Sequence, residues 1–454
     1  MRDLAFIAFL VALLGLALRR PFLFVLAFAY VDIVSPQRLS YYLLNSIQLS
    51  LIVCALAIGG WLLFDDKKNF RIAGRQWLML ALLAYAGLST LSADFPVEAL
   101  SKWGWVWKSL FWAIFLPFTL GTKLRIESYL LFMILSAATI IIVGGLKTVA
   151  AGGGYGVLNL MINDNSGLYE GSTISAVAIA IVPIILWLAR FGTIFPRDWR
   201  VLGFAYALIF ACLLIPIGTE ARTGLVCIAM LGLLLLRDAS KRILYIGGVG
   251  LALLIAIPIL PQSFTSRMDT IQGHRADSSA ATRLAVWSWT WDYALDHPMG
   301  GGFDAYLGNT LRIETKDMQA SGAVASVQQQ TQMDSARAYH SSYFEMLGEQ
   351  GFPGLILFLL IHGIGLIRME RLRRRYRKAA AEGDAWIAPL ATALQHGQLI
   401  YLVGALFVGI AYQPFIFMLL AVQIGFDSHV GRRERKDEGR GWQRDAAPAD
   451  EATA

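Results

Sequence analysis

The sequence predicts an all-α, polytopic membrane helix bundle, and three observations carry that prediction. Hydrophobic residues make up 56% of the 454 residues and charged residues only 16%. Soluble domains carry roughly 25% charged residues. Mean hydropathy is +0.55. The apolar residues fall into blocks of about 15–23 separated by short polar links, near the roughly 20 residues that a helix needs to cross a hydrocarbon core. The alternating runs of an outer-membrane barrel are absent.

Spans are expected near residues 4–18, 21–36, 42–64, 77–92, 105–121, 127–149, 171–189, 201–217, 221–236, 242–260, 352–367, 396–411 and 414–428, a count of about 12–14. The first could be a signal peptide. Its only plausible cleavage triplet, Gly15-Leu16-Ala17, is followed at once by Arg19, Arg20 and another apolar run, which reads as a retained helix. Alternate links hold 27 of the 39 basic residues, with seven in Arg368–Lys378 and six in Arg432–Arg444. By the positive-inside rule these links are cytoplasmic. The outward side then receives the 150–170 loop, the Glu220–Gly224 link and one large loop, 261–351.

The chain thus divides into N-terminal transmembrane helices (1–150), central helices (151–260), the large outward loop (261–351), C-terminal helices (352–430) and a tail (431–454). The tail is charged, rich in small residues and expected to be disordered. The Arg368–Asp384 link reads as a helical topology anchor beside lipid headgroups, with binding of anionic lipid as the other reading. Cys54, Cys212 and Cys227 lie in apolar runs without metal-ligand spacing, so neither disulfides nor a zinc site is expected. The net charge of +7 sits beside spans and argues for topology rather than nucleic acid.

Three outward segments hold polar residues that spanning helices do not require. In Gly218-Thr219-Glu220-Ala221-Arg222-Thr223-Gly224, Arg222 gains nothing from topology on the outward face, and the link is too short to carry it away from the bundle. The second segment begins at Arg283, passes Trp287, Trp289, Trp291 and Tyr293, and ends in Gly300, Gly301 and Gly302. The tryptophans suit a helix in the membrane interface. The glycines permit close backbone approach to a ligand. The third is Tyr339-His340-Ser341-Ser342-Tyr343-Phe344-Glu345, where a histidine that titrates near neutrality could take a proton from an incoming hydroxyl. No D-x-D triplet or His/Asp cluster suggests a metal. A site needing positive charge without one would use arginine, whose planar fork grips phosphate oxygens.

His340-Ser341, nine residues, then Gly351-Phe352-Pro353-Gly354 resembles the H-S-x9-G-x-x-G signature of the bacterial O-antigen ligases. Arg222 and Arg283 are similar to that family's two outward arginines, and the resemblance covers roughly residues 160–425. The N-terminal part through the Ser35-Pro36 turn, together with the Asn163-Asp164-Asn165 cluster, resembles the exosortase-associated O-glycosylation ligases. The resemblance implies a C-type glycosyltransferase bundle in the bacterial inner membrane, with the large loop periplasmic. The enzyme would transfer a glycan from undecaprenyl diphosphate to an acceptor hydroxyl, by an inverting step without cofactor or metal. Its partners would be the lipid-linked donor, a glycan, lipid or protein acceptor, and membrane lipids. Arg222 and Arg283 would hold the diphosphate, His340 would be the base and Glu345 would orient it. Gly300–Gly302 and Tyr343 would line the substrate site. An O-antigen polymerase uses the same donor type. A transporter should show mid-membrane charges and internal repeats, which this sequence lacks.

Overall fold

The computed structural model describes residues 2–40, 42–44, 46–67, 71–151, 168–238, 275–321, 324–378 and 383–445. The expected span 242–260, the Asn163-Asp164-Asn165 cluster and the start of the large loop lie outside them. The described chain is a helix bundle: α1 (Arg2–Arg19), α2 (Phe22–Val34), α3 (Pro36–Leu39), α4 (Leu49–Phe64), α5 (Gly74–Leu91), α6 (Pro96–Thr119), α7 (Lys123–Ala151), α8 (Gly171–Phe191), α9 (Trp199–Gly218), α10 (Arg222–Asp238), α11 (Arg275–Asp296), α12 (Ser342–Tyr376), α13 (Ile387–Gly404) and α14 (Pro414–Asp445). Among the described residues, α7, α8, α9, α12 and α14 are long and apolar enough to cross a membrane, and α2 and α4 are shorter apolar helices. The protein is a polytopic membrane helix bundle.

Burial sorts the helices into inner and outer. The apolar windows of α8 and α14 are each 78% buried, against 39% in α9. Phe204, Phe210, Leu359 and Ile367 stand exposed on the outside, as side chains facing acyl tails should. The inner helices α8 and α13 pack on each other, and α12 packs on α5 and α13. A polar line ties four helices inside this apolar interior. Arg75 Nη1 of α5 donates to Gln423 Oε1 of α14 at 2.9 Å, and Gln423 Nε2 donates to Gln398 Oε1 of α13 at 2.9 Å. Gln398 Nε2 lies 3.0 Å from the His362 carbonyl oxygen of α12. Such interhelical hydrogen bonds fix which helix faces meet where apolar packing alone would allow slippage.

Two expectations need correction. The helix expected over 396–411 runs instead from Ile387 to Gly404. It stops where Gly404 and the turns of 405–413 intervene, and Pro414 opens the next helix at a first-turn position that needs no N–H donor. The tail does not lose order at Gly431, because α14 continues to Asp445. Glu434 accepts from the Tyr376 hydroxyl at 2.6 Å and from Arg375 at 3.1 Å, and Arg433 donates to Asp384 at 2.7 Å. These contacts hold the extension against the end of α12. The large loop, for which the sequence implied no particular fold over 305–338, holds a hairpin. A short 3-10 turn (Ala305–Gly308) leads into the antiparallel hairpin β1 (Thr310–Ser321) and β2 (Val324–Ser335), with Thr310 opposite Ser335 and Ser321 opposite Val324. The Gln328-Gln329-Gln330 run lies in β2.

Candidate functional site

The large loop is anchored to the bundle by a joint that uses glycine where no other residue fits. Helix α12 breaks at Gly351, which has φ 61° and ψ −164°. The glycine run meets this break. The Gly301 amide donates to the Gly348 carbonyl at 3.1 Å, and Gly302 donates to Glu349 at 2.9 Å. The Phe352 amide returns a bond to the Pro298 carbonyl at 3.0 Å. Gly300 and Gly302 have φ of 83° and 80°, a region that costs an L side chain energy. A Cβ on Gly351 would sit 2.2 Å from the Pro298 carbonyl oxygen. Close packing accounts for all three glycines: Gly300 against the α12 backbone, Gly301 against Tyr293 and Asp94, and Gly302 against Ala93. It also accounts for the spacing of the histidine signature, since the nine residues between His340-Ser341 and Gly351 form the helical segment that ends at the joint.

Under the joint lies a buried charge cluster that the sequence reading did not anticipate. Lys102 Nζ, from α6, lies 2.8 Å from Glu345, 2.7 Å from Glu349 and 3.7 Å from Asp304. The same ammonium sits 5.7 Å from the Phe303 ring centroid and 5.4 Å from that of Tyr412. Burial raises Asp304 above the ordinary carboxylate range, against the pull of Lys102. Glu345 was expected to orient His340, and the structure directs it elsewhere. Its carboxylate is engaged by Lys102, and its Oε2 accepts from the Ala411 amide at 3.0 Å. The Tyr343 hydroxyl likewise donates to the Leu402 carbonyl at 3.1 Å.

His340 stands just before α12, on exposed backbone with φ 48°. Strained non-glycine positions are held only where the surroundings over-determine them, and they concentrate at functional sites. Of the five such residues described, Glu220 and His340 lie in the outward segments singled out above, and Asp304 and Ala336 lie elsewhere in the large loop. The flanking residue Tyr339 fixes the turn. Trp287 Nε1 donates to its carbonyl at 2.9 Å, and the Trp287 ring stacks on Phe344 at 5.0 Å. Trp287 thus turns inward to hold the histidine segment, whereas Trp291 is exposed as an interfacial ring would be.

The charges around His340 come from three distant parts of the chain. Partial burial is the largest cause of a histidine pKa below the usual 6.5, and Arg283 and Arg337 push the same way while Glu170 opposes them. Arg283, in turn, is lowered first by partial burial and then by Arg222. The two expected arginines and the expected histidine are therefore within electrostatic reach of one another. Helix α8 supplies Glu170, another residue missed by the sequence reading. Its carboxylate caps α8, accepting from the Ser172 amide at 3.0 Å and the Thr173 amide at 2.6 Å. The Arg222 link is tied to the same helix end through Thr219 Oγ1, 2.9 Å from Ser175 Oγ. An acid directly before Gly171-Ser172-Thr173 and an apolar run is a helix-start signal that could have drawn attention to it.

Two family models match this chain. Residues 207–359, which contain Arg222, Arg283 and His340, match the model described as O-antigen ligase. Residues 1–193 match a family of unknown function (DUF5935). No curated protein matches the chain.

Proposed function

We propose, taking the O-antigen ligase match over residues 207–359 as the premise, that this membrane enzyme is a glycan ligase acting on a donor linked to undecaprenyl diphosphate. It resides in the inner membrane with the 261–351 loop on the periplasmic side. The observation that carries this reading is the electrostatic grouping of Arg222, Arg283 and His340, from α10, α11 and the turn before α12. Two mutually repelling guanidiniums are costly to hold together, and a diphosphate between them would relieve that cost.

The step is a single displacement. A neutral His340 ring nitrogen takes the proton of the acceptor hydroxyl, and the hydroxyl oxygen bonds to the anomeric carbon with inversion. The glycosidic C–O bond to the diphosphate breaks, its electron pair leaving with undecaprenyl diphosphate. Arg222 and Arg283 hold the charge that develops there, the electrostatic contribution that usually weighs most in such steps. The lowered histidine pKa favours this role, because the ring is unprotonated at neutral pH.

The test supplies purified protein with an undecaprenyl diphosphate glycan and separate acceptors: a lipid A core, a protein hydroxyl, an exopolysaccharide terminus and a second lipid-linked glycan. Product on one of the first three, lost in His340→Ala and Arg283→Ala, is expected. Transfer only to the second lipid-linked glycan would make the enzyme a polymerase. Translocation without a covalent product would make it a transporter. Full activity in both variants would remove the proposed mechanism.

A further inference from the structure

A second concentration of arginine lies at the far end of the bundle from His340. The link before α5, the second half of α12 and the middle of α14 enclose a cleft of about 470 Å³. Arg71, Arg368, Arg371, Arg375, Arg432 and Arg435 line it. Two carboxylates share the space. Asp427 lies 3.9 Å from Arg368, and Glu434 lies 3.1 Å from Arg375. Arg71, Arg371, Arg432 and Arg435 have no ion-pair partner among the described residues. Arg432 Nη2 is buried without a hydrogen-bond acceptor, a condition that costs the full desolvation of a charged donor.

Topology alone does not explain this arrangement. The positive-inside rule asks for cations in the links, and it is satisfied wherever they point. Here side chains from three separate elements converge on one concavity with four cations in excess. Guanidinium forks match phosphate oxygens, and an anion with several acceptor oxygens would relieve both the repulsion and the buried donor. Phosphate could arrive on a lipid or as a free ion, and the surroundings favour the lipid. Ile72, Leu372 and Val430 form apolar walls. Ile72 is 41% exposed, and Trp77, about one turn on, is 55% exposed. Exposed tryptophan on a membrane protein is enriched at headgroup depth. We propose that this cleft binds the phosphate of an anionic phospholipid, at a site separate from the His340 cluster. The proposal does not depend on the glycan-ligase reading.

The test uses the full chain, delipidated in neutral detergent and titrated separately with phosphatidylglycerol, phosphatidylcholine and inorganic phosphate. Native mass spectrometry counts bound lipid, and the thermal midpoint reports stabilisation. Saturable binding of one phosphatidylglycerol, with a raised midpoint and no such effect from phosphatidylcholine, is expected. R371Q/R432Q should weaken it by about tenfold or more, whereas R19Q/R200Q, with the same loss of charge, should bind like the parent. Should R371Q/R432Q fail to fold, the exposed Arg71→Gln carries the test and should bind several-fold more weakly. Equal binding by parent and cleft variants would overturn the proposal, as would equal preference for phosphatidylcholine. Stabilisation by inorganic phosphate without any by phosphatidylglycerol would overturn the lipid assignment.

Discussion

Two charged clusters in the same part of the protein are built on opposite plans. Around Lys102, one cation from α6 meets three carboxylates within 3.7 Å. Around His340, the groups that act on the ring are two arginines and one glutamate, and Arg222 acts on Arg283 behind them. The first cluster is closed, since its partners come from the protein itself. The second keeps positive charge in reserve at a strained, exposed turn. A buried cation that meets its counter-ions within the protein holds elements in register, while cations grouped with few acids suit an anionic ligand. The difference separates the residues that build the site from those that would use it.

The sharpest way to break this comparison is to remove the open cluster's histidine. His340→Ala should lower turnover by about 10²–10⁴-fold, the usual worth of a general base, with the thermal midpoint little changed, since alanine must hold the same positive φ. A loss of turnover matched by a loss of folded protein would return His340 to the structural class. The closed cluster should behave in reverse. Lys102→Met leaves three carboxylates without their cation, and breaking a buried pair in this way costs about 3–5 kcal/mol. Denaturation in detergent or bilayer should show that loss directly. Retained stability with abolished transfer would mean that Lys102 itself meets substrate.

The joint between the two clusters offers a smaller, purely steric test. At Gly302, φ is 80° and a Cβ would lie 2.4 Å from the Ala93 Cβ. Gly302→Ala should therefore cost at least about 1–3 kcal/mol, the range for an L residue held in such a conformation. Transfer by the protein that remains folded should fall by a smaller factor than in His340→Ala. A variant as stable as the parent would show that the loop does not need this contact.

The open cluster was legible in the sequence and the closed one was not, for a physical reason. Arg222 and His340 sit in short polar segments beside apolar runs, where linear context alone makes them unusual. Lys102 sits near the start of an amphipathic stretch, and its partners Asp304, Glu345 and Glu349 lie more than two hundred residues away. Only tertiary packing reveals that they meet. Glu345 was misread for the same reason, since its nearness to His340 in the chain says nothing about which way a helical side chain turns. The bundle itself was readable from apolar blocks, because each helix must satisfy its own backbone in lipid. The hairpin of 310–335 was not, as its polar residues lack the alternation of a half-buried strand. Gly300–Gly302 were recognised as a site of close approach, although the groups they approach belong to the protein itself, on α12, α11 and the segment after α5.

The finest test concerns the sign of the charges on His340. A folded-state pKa below 6.5 means that the unfolded chain takes up its proton first as pH falls. This residue therefore withdraws stability between 6.5 and its lower folded value, and it gives up its role as base over the same descent. The acid limb of turnover against pH should accordingly lie below 6.5. Glu170 pulls the histidine pKa upward, so Glu170→Gln should move the limb to lower pH. Arg337 pushes it downward, so Arg337→Gln should move the limb to higher pH. Both shifts are modest, because the residue is only partly buried and solvent screens its neighbours. Gln at 170 keeps an oxygen that can accept from the Thr173 amide, which limits the loss of the helix cap. Opposite displacements from two substitutions that leave His340 in place are hard to produce by general damage to the fold. Limbs that coincide in all three proteins would show that the group titrating in the reaction is not His340.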